Sequence, residues 1–284
     1  MKKITNSSTA YWVYGNEQAP KTIILIHGYR GTHHGLELIA KELNNYKVIV
    51  PDLPGFGQSG ELKNYFLTNY VDWLEDFFQE MGFLDKTPKK QKPHLLGHSF
   101  GSIIVSGFAE KNQNKVDKLI LLNPIPAPVS EAKNIADFFG NGYYKIGEKL
   151  PSKLASKWFS SKMTTLIASE FMIKNRTRSN RKYINNAHLE HFSDYKNIQS
   201  LIESYKASSK NSVKEFAPNI NNETLIIVGD KDDIAPLKKQ LELKKLFKNA
   251  TFEIINGVGH LTHYETPKEV GKLINNYLSL TKSK

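Results

Sequence analysis

The chain has 284 residues, a formal net charge of +11 and no cysteine, and 39% of its residues are hydrophobic. This length and composition argue against a disordered, collagen-like or coiled-coil chain and predict a globular protein of one or two domains. The absence of cysteine excludes disulfides, a thiolate nucleophile and zinc–thiolate sites.

Short apolar runs recur along the chain, and most are followed by a turn and a helical pattern. Such runs predict strands that are buried on both faces. The predicted strands are residues 22–26, 46–50, 94–96, 118–122, 224–228 and 251–255. Apolar residues at helical spacing predict covering helices, as in residues 70–81. Strands that alternate with helices predict an α/β fold with a mostly parallel, doubly wound sheet.

The alternation breaks once, between Pro124 and about Asn222, where strand patterns are absent and helix-forming stretches take over. Residues 125–222 contain 15 Lys and Arg against 8 Asp and Glu, so +7 of the net charge of +11 lies in this segment. We predict a helical insertion at 125–222, which leaves the sheet after one strand and returns at the next. The core is then residues 1–124 and 223–284.

The basic charge raises the question of nucleic-acid or membrane partners. The lysines are scattered among Asn and Ser, and no nucleic-acid-binding motif is present, so we expect no nucleic-acid partner. The apolar runs are far shorter than the ~20 residues of a membrane-spanning helix, which predicts no membrane span. Residues 5–9 are polar where a secretory signal carries its apolar stretch, and we therefore expect a cytoplasmic location.

The strongest motif is GHSFG at residues 97–101, which follows a predicted strand and precedes a helical pattern at 102–110. A sharp turn from strand to helix strains the backbone at its central residue, and side chains two positions away would collide. Glycines on both sides of Ser99 suit such a turn. The first N–H groups of the following helix favour an anion at the same point.

Four further motifs follow predicted strands. They are HGYRG at 27–31, PDLPGFGQS at 51–59, GDKDDIAP at 229–236 and GVGH at 257–260. With these five motifs in this order, the sequence resembles the α/β-hydrolase family over nearly the whole chain outside the insertion. The resemblance implies the α/β-hydrolase fold with a helical cap over the nucleophile.

The resemblance also implies the site residues. Ser99 matches the nucleophile, His260 the general base and Asp232 the acid, in the chain order that this family uses. A serine is a poor nucleophile unless a base takes its proton, and the imidazole needs a carboxylate to hold its tautomer. The backbone N–H groups of Tyr29 and Phe100 match the oxyanion hole. No cofactor and no metal are implied.

Three aspartates of the GDKDDIAP motif are candidates for the acid. Asp230 and Asp233 flank Asp232, which is favoured because it matches the family spacing G-x-x-D-x-x-x-P. Some relatives carry the acid after the preceding core strand. In this chain, residues 122–124 are Leu, Asn and Pro and offer no carboxylate.

Other conspicuous residues receive structural interpretations. His27, His33 and His34 suggest a metal site, but no carboxylate lies at ligand spacing. His263 is an alternative base that lacks the glycine turn, and His98 is expected to point away from the site. We expect a structural turn at Asp52, Gly55, Gly57 and Ser59. We expect a helical-domain core, in part lining the pocket, from Phe138, Phe139, Tyr143, Tyr144, Trp158, Phe159, Phe171 and Tyr183.

The serine at residue 99 also bears on the reaction. Relatives that open epoxides or displace halide carry Asp at this position, so both reactions are disfavoured. The resemblance implies a carboxylic ester hydrolase of small to medium, partly apolar substrates. A C–C bond hydrolase, an aminopeptidase and a lysophospholipase share these residues and stay open, as does a ligand receptor with little hydrolysis. The sequence leaves the oligomeric state open.

Overall fold

An eight-stranded sheet runs through the described part of this computed structural model, which comprises residues 2–84, 92–128 and 135–279, with backbone alone for residues 2 and 135–141. The strands are β1 (Lys2–Ile4), β2 (Ala10–Gly15), β3 (Thr22–Ile26), β4 (Lys47–Pro51), β5 (His94–His98), β6 (Lys118–Leu122), β7 (Glu223–Gly229) and β8 (Ala250–Ile255). Their order in the sheet is β1-β2-β4-β3-β5-β6-β7-β8. Strands β3 to β8 run parallel, whereas β2 pairs antiparallel with β1 and β4.

Helices cover both faces of the sheet. They are α1 (His34–Glu42), α2 (Leu67–Glu80), α3 (Phe100–Lys111), α4 (Ile135–Lys149), α5 (Ser152–Phe159), α6 (Lys162–Met172), α7 (Arg178–His191), α8 (Ile198–Lys210), α9 (Leu237–Lys244), α10 (Thr262–Glu265) and α11 (Pro267–Ser279). Helices α1 and α11 bury Leu36 and Ile274 in one apolar cluster. Helices α2 and α3 bury Phe77 and Phe108 in the cluster on the other face. This is the predicted mostly parallel, doubly wound α/β architecture.

The sequence predicts the strands best where the sheet is most deeply buried. Strands β3 and β6 match their predicted ranges, because parallel strands covered on both faces are continuously apolar. The prediction of two buried faces is wrong for β8, which lies at the sheet edge and leaves Ile254 41% exposed. The sequence did not predict strands β1 and β2, because β1 is short and lysine-rich and β2 is mostly aromatic and only half-buried, unlike the aliphatic runs of the central strands.

Helices α4 to α8 lie between β6 and β7, within the segment for which we predicted an insertion. This segment, residues 125–222, is called the insert below, and its separation as a domain stays a prediction. It contacts the turn after β4, where the Gly57 N–H donates to the Asp194 carbonyl (2.7 Å) and the Lys196 N–H to the Gly55 carbonyl (2.9 Å). Over the described residues, no helix is long and apolar enough to cross a bilayer.

The aromatic residues of the insert divide into two groups. Tyr144 and Phe159 are buried and stack with ring centroids 5.5 Å apart, as expected for a helical core. Phe171 and Tyr183 are 40% and 47% exposed, so the expectation of a core role is wrong for them. Tyr183 contacts the Tyr264 ring edge-on, with ring centroids 6.0 Å apart. The side chains of Phe138 and Phe139 lie outside the described ones.

Candidate active site

Ser99 lies at the turn between β5 and α3 in a strained backbone conformation, with φ 53° and ψ −120°. The flanking glycines make this turn possible. A Cβ atom at Gly101 would overlap the Ile26 carbonyl oxygen, and one at Gly97 would overlap the Gly101 carbonyl. Strain of this kind persists only where the surrounding structure enforces it, and it holds the Ser99 hydroxyl at the carboxyl edge of the sheet.

The structure brings Ser99, His260 and Asp232 together at this edge. His260 Nε2 lies 2.8 Å from Ser99 Oγ, and His260 Nδ1 lies 2.7 Å from Asp232 Oδ2. Because the carboxylate accepts from Nδ1, the imidazole carries its proton there and leaves Nε2 free to accept the serine proton. The three groups therefore form a continuous hydrogen-bonded chain that can move a proton away from the hydroxyl.

Asp232 is the aspartate of its loop that reaches the imidazole. Its Oδ1 accepts from the N–H groups of Ile234 and Ala235, both at 2.9 Å. Asp230 instead accepts from the Gly257 N–H (2.6 Å), and Asp233 forms an ion pair with Lys174. Burial acts to raise the pKa of Asp232, but His260 and these N–H donors together hold it below its ordinary value. The carboxylate therefore stays charged at neutral pH.

Asn123 is a residue of this site that the sequence did not reveal. It follows β6, at the position where we noted that no carboxylate is available, and it is fully buried with φ 43°. Its Nδ2 donates to Asp232 Oδ2 (3.0 Å) and to the Gly259 carbonyl (3.2 Å), and its Oδ1 accepts from the Thr262 hydroxyl (2.5 Å). The amide thereby joins the loops that carry the acid and the imidazole.

We expect Asn123→Ala to lower kcat/KM about 10- to 100-fold, because a lost hydrogen bond to a charged group costs about 1.5–3 kcal/mol. The decrease should lie in kcat, since the side chain orients the acid and does not line the cavity. Asn222→Ala removes a remote amide that bonds the Gln113 and Val116 carbonyls at the other end of the sheet. Steady-state ester kinetics with both variants tests this, and equal effects on kcat would contradict a positioning role.

The predicted oxyanion donors lie beside the serine. Phe100 is the first residue of α3, so its N–H has no acceptor in a preceding helical turn. The loop before Tyr29 approaches closely, since a Cβ atom at Gly28 would lie 3.1 Å from the Ser99 Cβ. Glycine at this position lets the backbone lie against the nucleophile. The role of the Tyr29 and Phe100 N–H groups stays a prediction.

Two further histidines lie behind the imidazole. His98 Nε2 donates to the His260 carbonyl oxygen (3.2 Å), and the His98 and His263 rings lie 4.1 Å apart. Burial lowers the pKa of His98 to about 3 and that of His263 well below its ordinary value, so both rings are neutral at neutral pH. His260 forms the hydrogen bond with Ser99, whereas the alternative base His263 does not.

The histidines of the first glycine-rich loop have other contacts. His27 Nε2 accepts from the Leu53 N–H (2.8 Å), and His33 donates through its backbone N and its Nδ1 to Asp52 Oδ1 (2.7 and 2.9 Å). Asp52 Oδ2 accepts from the Gln58 N–H (2.8 Å), which closes the turn expected after β4. Within the described ranges, no group of three or more acidic, histidine or cysteine side chains is arranged to hold a metal ion.

A cavity of about 90 Å³ opens onto the hydroxyl and imidazole, and its walls include Tyr29, Arg30, Met172 and Phe192. Arg30 is buried and connects the first loop to the insert. Its Nε donates to the Phe192 carbonyl (2.9 Å), and its Nη2 donates to the Phe159 carbonyl (2.8 Å). No Asp or Glu occurs among the described residues that line the cavity, and Arg30 is the one Lys or Arg among them.

Comparison with known proteins agrees with this architecture. The family model for the alpha/beta hydrolase fold matches residues 21–267. The chain belongs to the α/β-hydrolase family. The family and fold class that the sequence motifs predicted are therefore confirmed.

Similar proteins include different kinds of hydrolase. A proline iminopeptidase from Pestalotiopsis fici is 28% identical to this α/β-hydrolase, over 97% of this chain and 98% of its own. Lipase 3 from a Moraxella species is 24% identical, over 95% of this chain and 81% of its own. The crystal structure of a bromoperoxidase from Bacillus anthracis covers 99% of this chain and all of its own, with a TM-score of 0.80 at 17% identity. That likeness shows the fold alone.

Proposed function

We propose that this α/β-hydrolase cleaves carboxylic esters of small to medium, partly apolar substrates through an acyl-enzyme formed on Ser99. The observation that carries the proposal is the hydrogen-bonded chain from Ser99 Oγ to His260 (2.8 Å) and on to Asp232 (2.7 Å). A pure binding protein has no physical need for such a chain. The limited cavity of about 90 Å³ supports a small acyl group.

The reaction follows from this geometry. Ser99 Oγ attacks the carbonyl carbon while its proton passes to His260 Nε2, and the carbonyl electron pair moves to the oxygen. The Tyr29 and Phe100 N–H groups stabilise this oxyanion, a contribution of about 10²- to 10³-fold in rate per donor. The intermediate expels the alcohol, which takes the proton from Nε2. Water then attacks the acyl carbon with Nε2 as base, and the released acid leaves Ser99 restored.

The wall of the cavity bears on the competing reactions. An aminopeptidase must bind a protonated amine, and carboxylates are the side chains suited to that task. The described lining offers Arg30 and several histidines and lacks a carboxylate. This charge pattern disfavours an aminopeptidase, although the relative from Pestalotiopsis fici carries that name. A C–C bond hydrolase would use the same three residues, so a substrate panel is needed to distinguish it from an esterase.

A substrate panel tests the proposal. We expect turnover of 4-nitrophenyl acetate and butyrate, slower turnover of the octanoate, and little hydrolysis of proline 4-nitroanilide. A fluorophosphonate probe should label the native protein at Ser99. Faster cleavage of the anilide than of every ester would favour an aminopeptidase. Cleavage of a vinylogous diketone alone would favour a C–C bond hydrolase, and absence of both labelling and turnover would favour a ligand receptor.

A further inference from the structure

Helix α6 of the insert exposes apolar side chains and buries polar ones. Met163, Ile167 and Phe171 are 69%, 63% and 40% exposed, whereas Thr165 and Ser169 are buried. Residues spaced by four lie along one face of a helix, so the three exposed side chains form a continuous stripe. This distribution is the reverse of that of a helix packed on a soluble core. The stripe therefore requires an explanation other than internal packing.

Exposed apolar side chains also occur on other helices of the insert. Leu154 of α5 and Tyr183 of α7 are 52% and 47% exposed. Of the ten large hydrophobic residues exposed in the described part of the chain, six lie in α4 to α7. Concentrated exposure of this kind marks an interaction surface, whereas exposed apolar residues are normally scattered. We call the stripe of Met163, Ile167 and Phe171 the α6 face.

The segment that carries the α6 face is strongly basic. Residues 149–182 contain nine Lys and Arg against one acidic residue, Glu170. Glu170 is itself bound by Arg181 (3.0 Å) and by the Asn185 amide (2.7 Å). Lys162 is exposed and directly precedes Met163 of the stripe, and Lys157 is exposed on α5. The α6 face therefore combines apolar side chains with a surrounding positive field.

We propose that the α6 face docks this protein on the surface of an anionic lipid bilayer. Apolar side chains enter the boundary between headgroups and acyl chains, while the lysines and arginines approach the phosphates, as in interfacial amphipathic helices. The basic charge of this segment favours an anionic bilayer over a second copy of the chain as the partner. Two copies joined through the α6 face would bring two basic segments together, and like charges at an interface oppose association.

The far end of α6 lies next to the proposed catalytic site. Met172 lines the cavity that contains Ser99. The N–H groups of Lys174 and Asn175 donate to Glu265 Oε1 (2.6 and 2.8 Å), and the Gly259 N–H donates to Glu265 Oε2 (3.1 Å). The docking helix is thus tied to the loop that carries His260, so a docked molecule holds its cavity close to the lipid. Docking itself does not depend on hydrolysis.

Vesicle flotation of the full chain tests docking independently of catalysis, with Ser99→Ala in every protein. At low ionic strength we expect binding to vesicles of phosphatidylcholine with 30% phosphatidylglycerol, little binding to phosphatidylcholine alone, and loss of most binding in 0.5 M NaCl. The triple variant Met163→Ser, Ile167→Ser, Phe171→Ser should reduce partitioning at least tenfold. Lys157→Glu with Lys162→Glu should weaken binding and flatten its dependence on salt.

A matched control removes exposed apolar residues elsewhere. Phe66, Leu241 and Ile254 are 59%, 42% and 41% exposed outside the insert, and their replacement by Ser should leave vesicle binding unchanged. Near-UV circular dichroism checks that each variant is folded. The proposal is overturned if the Ser99→Ala protein and its triple variant bind equally, or if neutral and anionic vesicles are bound alike. It is also overturned if sedimentation shows a dimer that the triple variant dissociates.

Discussion

Replacing Ser99 with Ala is expected to lower kcat for ester hydrolysis by about 10⁶-fold and to abolish fluorophosphonate labelling. The change removes the atom that forms the acyl-enzyme, and the remaining rate would come from the oxyanion donors and substrate binding alone. The Ser99 hydroxyl bonds His260 Nε2, so its loss disturbs little else in the fold. We expect the melting temperature to change by no more than about 2 °C.

Ser106→Ala is the matched control for this experiment. Ser106 is a buried serine of α3, and within the described structure its hydroxyl has no hydrogen-bond partner. It should retain native activity and labelling. Stopped ester assays with purified protein and mass spectrometry of the labelled peptide provide the measurements. Retention of more than about 1% of kcat by Ser99→Ala would refute the acyl-enzyme, because loss of a serine nucleophile lowers the rate far more than that.

The second large effect is expected for Asp232→Asn, with a decrease in kcat of about 10⁴-fold. The Oδ1 position receives two backbone N–H groups, from Ile234 and Ala235, so the carbonyl oxygen of an asparagine stays there. Its NH₂ group then faces His260 Nδ1. A donor at that place forces the imidazole to carry its proton on Nε2, where it can no longer accept the proton of Ser99.

The neighbouring Asp233→Asn is the control, because Asp233 is half exposed and pairs with Lys174 at the edge of the insert. It should keep kcat within about twofold, as is usual for surface substitutions. The two proteins have the same composition and charge, so the comparison isolates the contact with His260. Similar kcat values for Asp232→Asn and Asp233→Asn would remove Asp232 from the mechanism, whereas loss in Asp233→Asn alone would move the acid to the neighbouring residue.

The loop that carries Asp232 and Asp233 shows how precisely a sequence motif identifies the acid. The spacing from Gly229 to Pro236 favours Asp232 as the acid, but it does not show which of the side chains of Asp230, Asp232 and Asp233 contacts the imidazole. The distinction depends on the loop conformation, which turns Asp232 toward His260 and Asp233 toward Lys174. A contact between side chains 28 positions apart arises only when β7 and β8 lie side by side in the sheet.

Asn123, Arg30 and the α6 face could not be predicted because local patterns do not express their roles. An asparagine after a strand is common in turns, and its importance depends on contacts with Asp232 and Thr262, over a hundred residues away. In the sequence, Arg30 resembles an ordinary surface charge. In the structure it is buried, and the carbonyls of Phe159 and Phe192 in the insert accept hydrogen bonds from its guanidinium. The apolar residues of α6 read as a helical core.

The sequence by itself determined the α/β architecture, the family and the turn around Ser99, because these depend on local features: continuous apolar strands, helical periodicity and glycines where a Cβ atom would collide. The tertiary structure alone decided the unpredicted strands β1 and β2, the exposed edge at β8, the contacts of Asn123, and which side of α6 remains in solvent. Those outcomes depend on packing between segments distant along the chain, and hydrophobicity patterns show that a residue is apolar without showing what covers it.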